Sequence, residues 1–344
     1  MEKNLHLKDD GTYQQSVDYR YNIRGWLTHI NNSALTDDSG VTNDDGNDYF
    51  GFELRYNTPT TNGGAAQFNG NISEVLWSNL VSGRQSYAYS YDPLNRLTQA
   101  KYFDTNNPLN NNRFNEQITG YDRNGNILGT TRQGKTGEVA FSNTYGAMDN
   151  LGYSYQGNKL FRVDDSANST SEEDGFKELN TSSDDYEYDD NGNLTKDKNK
   201  GISSMTYNYM NLVDQVVSDN GATISYTYDH NGIRLKQEYA GNNGNPQKAI
   251  DFVGSFVYEN NSLSLINHDE GQIKMNSDGP EYQYALKDNV KNTRVLFTSR
   301  DQTDSNLATF EDESEQNQFI NFEGIRRINS SLFDHTHIVN GSGG

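Results

Sequence analysis

The chain has no cysteine. That excludes disulfides, zinc–thiolate centres and cysteine nucleophiles. It does not fix a compartment, because large secreted β arrays need no disulfides. There is no apolar run of about 18 residues, so no membrane span is expected. The opening residues, Met1-Glu2-Lys3-Asn4-Leu5-His6-Leu7, lead into charge rather than an apolar stretch, so no signal peptide is expected. The protein then either does not use that export route or is an internal piece of a longer chain.

Positive charge is scarce. The chain has 28 basic residues against 48 acidic ones, a net charge of −20. Such a surface repels phosphate backbones, which argues against nucleic acid and leaves basic or neutral proteins as partners. The acids crowd into two segments. Residues 37–48 hold five acids and no base, and residues 164–185 hold eight acids against Lys177 alone. Both read as solvated, self-repelling loops.

Helical periodicity is also missing. No segment of 11 or more residues repeats its apolar positions every 3.6, so helices should be few, with one short turn at Phe319–Ile328. No nucleophile elbow, phosphate loop or zinc helix is present, and no pair among the many acids stands out for glycosidase chemistry. The expectation is a chain with no enzyme activity, no catalytic residue and no cofactor.

What the chain does have is tyrosine. Only 32% of its residues are hydrophobic and its mean hydropathy is −0.95, yet it carries 23 Tyr and 15 Phe. Disordered chains are poor in aromatics. The composition fits a folded β protein whose apolar surface is largely tyrosine and phenylalanine.

The tyrosines recur in one turn pattern. It reads Tyr91-Asp92-Pro93-Leu94-Asn95-Arg96-Leu97, Tyr121-Asp122-Arg123-Asn124-Gly125-Asn126-Ile127, Tyr188-Asp189-Asp190-Asn191-Gly192-Asn193-Leu194 and Tyr228-Asp229-His230-Asn231-Gly232-Ile233. An early copy is Tyr21-Asn22-Ile23-Arg24-Gly25-Trp26-Leu27. Residues two apart share a strand face, which pairs Tyr89 with Tyr91, Tyr226 with Tyr228 and Tyr207 with Tyr209. The Asp carboxylate accepts backbone N–H groups two residues on and fixes the reversal. Three positions after it the backbone needs φ > 0, supplied by Gly25, Gly125, Gly192 and Gly232, and by Asn95 in the proline-bearing unit. Leu27, Leu97, Ile127 and Leu194 then open the return strand. Each unit is a β-hairpin, and the second tyrosines of the pairs fall at 21, 91, 121, 155, 188, 209, 228 and 284. About 18 to 22 strands are expected, a ribbon on the order of 95 Å long that must twist and coil.

Taken together, these units resemble the RHS/YD-repeat family of bacterial toxin shells and teneurins. The segments that carry the likeness are Tyr19–Leu27, Phe50–Tyr56, Tyr89–Leu97, Tyr188–Leu194, Tyr226–Leu235 and Tyr282–Phe297, the last with Asp288, Asn292, Thr293 and Arg294. The resemblance implies an all-β fold: a spiralling antiparallel β-hairpin sheet forming part of a shell, with residues 1–300 as the repeat array and 301–344 as a post-repeat segment and flexible tail. It further implies a non-catalytic wall that encapsulates or presents a C-terminal toxin or effector, at the cell surface or secreted. The chain departs from the family in two places. Lys291 occupies a slot that is usually glycine, so that turn is expected to differ or be strained. The self-cleaving aspartate segment that ends the family's core has no match. An alternative from the exposed aromatics alone is a surface adhesion or carbohydrate-binding module, with glycans as partners.

Three clusters bear on metal binding. Asp189-Asp190-Asn191-Gly192-Asn193 opens like a calcium loop, but the residue eleven on, where a bidentate Glu belongs, is Lys200. Asp44-Asp45-Gly46-Asn47-Asp48 is a similar case and a slightly better one for weak calcium. His335 and His337 beside Asp334 lack a third ligand. All three read as structural, with no metal site expected.

Overall fold

A computed structural model describes residues 1–299, apart from 41, 42, 44, 45, 61, 63, 140, 141, 168–173, 182 and 243. The expected tail at 301–344, the turn at Phe319–Ile328, the Asp334–His337 cluster, and Asp44 and Asp45 lie outside the described residues.

Among the described residues there are 23 β-strands, two single turns of 3-10 helix (Pro108–Asn110 and Lys198–Lys200) and no α-helix. The first eleven strands are β1 (Glu2–Leu7), β2 (Tyr13–Tyr21), β3 (Leu27–Ile30), β4 (Phe50–Arg55), β5 (Glu74–Asn79), β6 (Gln85–Tyr91), β7 (Leu97–Asp104), β8 (Glu116–Tyr121), β9 (Ile127–Val139), β10 (Ser142–Gln156) and β11 (Lys159–Asp165). The next six are β12 (Tyr186–Tyr188), β13 (Leu194–Asp197), β14 (Ile202–Tyr207), β15 (Val213–Ser218), β16 (Thr223–Tyr228) and β17 (Arg234–Ala240). The last six are β18 (Pro246–Val253), β19 (Phe256–Glu259), β20 (Ser262–His268), β21 (Gly271–Asn276), β22 (Gly279–Lys287) and β23 (Thr293–Thr298). Strands pair antiparallel in chain order, β1 to β11 in one sheet and β12 to β23 in the other. The sheets meet where Asp185 N–H donates to Phe161 O at 2.7 Å and Val163 N–H donates to the Asp185 carboxylate at 2.8 Å. The fold is therefore the all-β hairpin ribbon expected from the repeats.

The alternation of side chains explains why these segments are strands. In β16, Ile224, Tyr226 and Tyr228 share one face, while Thr223, Ser225 and Thr227 share the other. Cross-strand register continues the apolar row, with Val216 opposite Ile224 and Met205 opposite Val216. In β4, Phe50, Phe52 and Leu54 are buried on one face. They form a core with Leu5, Val17, Ile30 and Val75, and with Leu286 and Phe297 from the far end of the chain. Phe297 stacks on Tyr284 (ring centroids 5.2 Å apart) and meets Tyr49 edge-on at 5.5 Å. Lys3 Nζ reaches Glu270 at 2.6 Å. The ribbon thus curls until its last hairpin packs on its first strands.

Successive connections alternate between two rims. The tyrosine-led turns lie on one rim, and both acid-rich segments lie on the other. Those segments are not simply solvated. Asp48 is 1% exposed and accepts from Asn31 Nδ2 and Asn43 Nδ2, each at 2.7 Å. Asp185 is fully buried and accepts from Asn180 Nδ2 at 2.7 Å as well as from Val163 N–H. Amide donors from Asn43 and Asn180, each five residues away, and from Asn31, seventeen away, outweigh the repulsion that composition alone suggested.

The opposite face of β4 carries Glu53, 9% exposed. It accepts from Arg55 Nε (2.7 Å), Ser33 Oγ (2.9 Å) and Arg84 Nη2 (3.3 Å), with His29 Nε2 at 3.6 Å. Burial disfavours its ionisation, but the bonds from His29, Arg55 and Ser33 outweigh burial and hold the carboxyl at about 2 against an ordinary 4.5. A depressed carboxyl pKa stabilises the fold above the unfolded value and loses that contribution as pH falls to the folded value. The contribution is about 3 kcal/mol. Glu53→Gln should lower the unfolding free energy at pH 7 by about that amount. Urea denaturation of both proteins at pH 7, 4 and 2 checks this, and the gap between them should close toward pH 2.

Candidate functional site: the tyrosine-tethered turns

The five turns named above share one hydrogen-bond scheme, and so does the expected turn in which Asp288 leads and Lys291 takes the fourth position. The structure adds one more, in which Asn208 leads and Asn211 takes that position. The leading residue donates its N–H to the residue four on and accepts the N–H of the residue three on through its carbonyl. For Asp92 these bonds are 2.9 and 2.9 Å, for Asp229 2.9 and 3.1 Å, and for Asp288 3.0 and 3.0 Å. Its side-chain oxygen then takes inner N–H groups. Asp92 Oδ1 accepts from Leu94 and Arg96 at 2.8 and 2.9 Å, and Asp122 Oδ1 accepts from Asn124 and Asn126, both at 2.8 Å. Asn22 and Asn208 do the same with an amide oxygen. The scheme needs an acceptor, not a charge.

The slot three after the leading residue is left-handed in every copy. Gly25, Asn95, Gly125, Gly192, Asn211, Gly232 and Lys291 have φ between 56° and 92°. A register shift marks each turn, for example between Ser90 and Tyr91 and between Thr227 and Tyr228. That is a tight turn followed by a bulge, a common way to close a hairpin with the strands' own twist. Lys291 does not alter the turn. It adopts the same conformation at φ 69° and bears the strain itself. Arg294 Nε donates to Asp288 Oδ2 at 2.8 Å, tying the end of the turn to the return strand.

The ionisation of these acids follows from the geometry. For Asp92 and Asp229, bonds from the backbone N–H of Arg96 and of Ile233 favour the carboxylate and lower the pKa. For Asp122, Asp189 and Asp288, desolvation opposes ionisation, and the turn's own donors overcome it. In each of these turns the Oδ1 oxygen accepts the turn's own backbone N–H groups, and no group of three or more potential metal ligands forms among the described residues. Asp189 in particular binds Asn193 N–H (2.8 Å) and Asn193 Nδ2 (3.0 Å).

In five of the seven turns the tyrosine before the leading residue does more than pack. Tyr121 donates its hydroxyl to Leu97 O (2.5 Å), Tyr207 to Leu194 O (2.6 Å) and Tyr228 to Val213 O (2.9 Å). Each acceptor is the first residue of the preceding hairpin's return strand. Tyr56 reaches Leu27 O (2.9 Å), Tyr188 reaches Leu160 O (2.6 Å) and Tyr91 reaches Ile72 O (2.9 Å). Burial pushes the pKa of these phenols up, which keeps them protonated as donors. The apices are also linked, by Asn69 to Asn95 (2.7 Å), Asn124 to Asn158 (3.0 Å) and Asn191 to Asn211 (3.2 Å). Sequence reasoning missed the tethers. The available signal was the repeated choice of Tyr over Phe at a packing position. It also misplaced two tyrosines: Tyr209 is 86% exposed in a turn, with Tyr207 in the tethering position, and Tyr284 lies within β22, with Lys287 before the turn.

Tyr121→Phe and Tyr188→Phe should each cost about 1 kcal/mol, because a strand carbonyl loses its donor. Parallel melts of the two variants and the parent chain measure this. Lys291→Gly should add about 0.5–1 kcal/mol, the relief of left-handed strain less the extra chain entropy of glycine. A lower melting temperature would contradict that assignment.

No protein-family model matches the chain, and no curated protein sequence matches it. Solved structures do. The chain is similar to one in the crystal structure of TcdB2-TccC3-Cdc42, with a TM-score of 0.51, 13% identity, and coverage of 84% of this chain and 16% of that one. It is similar to one in the crystal structure of TcdB2-TccC3, with a TM-score of 0.51, 14% identity and the same coverages. At this identity the likeness is one of fold, and this chain spans about a sixth of the length of those it matches.

Proposed function

We propose that the chain is a non-catalytic wall segment of an RHS-type shell, which encapsulates or presents a C-terminal toxin or effector polypeptide at the cell surface or after secretion. The observation that carries this reading is the single-layer ribbon. From β14 to β18 no strand residue is fully buried on either face. The apolar row through Met205, Val216, Ile224 and Tyr226 stays only half-buried. A sheet with one apolar face and nothing packed on it suits a wall with contents. The fold likeness to TcdB2-TccC3 supports the same reading. The net charge of −20 favours a basic cargo. No helix among the described residues is long and apolar enough to cross a membrane.

Limited proteolysis tests this. The chain is co-expressed with the C-terminal segment of its parent protein, and the digestion rate of that segment is compared with its rate alone. Protection is the expected result, and equal rates would remove encapsulation as the function.

A further inference from the structure

The last repeat turn departs from the motif at two positions, and both hold lysine. Lys287 stands where the other six units place the tyrosine before their leading residue. Lys291 stands in the left-handed slot that those units fill with Gly or Asn. The turn gains nothing from either change. Lys291 is strained at φ 69°, and neither ammonium has an ion-pair partner among the described residues.

Both lysines line one cavity of about 480 Å³ between the β22–β23 hairpin and strands β1 to β3. Its floor is apolar, built from buried Leu5, Val17, Ile30, Phe50 and Leu286. Tyr21 lines it too, half-exposed, and its hydroxyl reaches no carbonyl among the described residues, unlike those of the tethered motif tyrosines. Two of the nearby acids are already engaged: Glu270 with Lys3 at 2.6 Å, and Asp288 with Arg294 at 2.8 Å. Asp269 is left against two ammonium groups that have no ion-pair partner among the described residues, so the mouth is locally positive in a chain of net charge −20.

We propose that this cavity binds a small anion with an apolar body. The ring or alkyl part enters between Leu5, Ile30 and Leu286, and a carboxylate, sulfate or sulfonate head meets Lys287, Lys291 and the Tyr21 hydroxyl. The cavity volume falls within the ~300–1,000 Å³ typical of small-ligand sites. Two lysines beside an apolar floor select charge and hydrophobicity together. This site does not depend on the wall reading.

A matched pair of probes tests it. 8-Anilinonaphthalene-1-sulfonate carries an apolar ring system and an anionic head, and N-phenyl-1-naphthylamine carries the ring system alone. The folded full chain should bind the sulfonate saturably and one to one. Lys287→Gln and Lys291→Gly should each weaken it about tenfold and leave the neutral probe's affinity unchanged. Because Lys291→Gly is expected to stabilise the fold, its loss of binding would not be unfolding. Non-saturable binding, equal losses for both probes, or lysine variants with unchanged sulfonate affinity would each overturn the proposal.

Discussion

A phenol hydroxyl reaching back one hairpin is the contact on which the ribbon depends. A lone two-stranded hairpin is marginal in water, and hairpins laid side by side share only backbone ladders that could slip. The bonds from Tyr121 to Leu97 O, Tyr207 to Leu194 O and Tyr228 to Val213 O pin each unit to a defined residue of its predecessor. A slip of one residue would turn every side chain to the wrong face. The tether forbids it by joining a side chain that must lie on the apolar face to a carbonyl at a set position.

The turn supplies the other half of the constraint. Its leading oxygen gathers N–H groups two and four residues on, so the reversal is finished locally, before any neighbour is present. Asp and Asn serve alike, as Asn22 and Asn208 show beside Asp92 and Asp122. Local closure and nearest-neighbour tethering together give a body in which each unit is held mainly by the one before it, as expected of a repeat architecture.

That locality explains what could be read in the sequence. The all-β class and the opening of return strands at Leu27, Leu97, Ile127 and Leu194 follow from spacings of a few residues. What could not be read involves distant partners. Nothing near Phe50 or Phe52 announces that Leu286 and Phe297 will cover them. The inward turn of Asp48 and Asp185 depends on Asn31, Asn43 and Asn180, whose side-chain direction composition does not reveal. Tyr209 was misread because two tyrosines two apart look alike until one knows which side of the turn each occupies.

The packing of Phe297 on the first strands also sets a timetable. The hairpins can close as they leave the ribosome, but the apolar face of β4 has no cover until the last hairpin arrives. About 245 residues separate Phe52 from Phe297, so synthesis at roughly 5–20 residues per second leaves that face bare for roughly 10–50 s. During that interval Phe50, Phe52 and Leu54 form a sticky patch on an otherwise well-ordered nascent chain. Synthesis is therefore an aggregation-prone interval for this protein, and the residue that ends it sits in the last strand among the described residues.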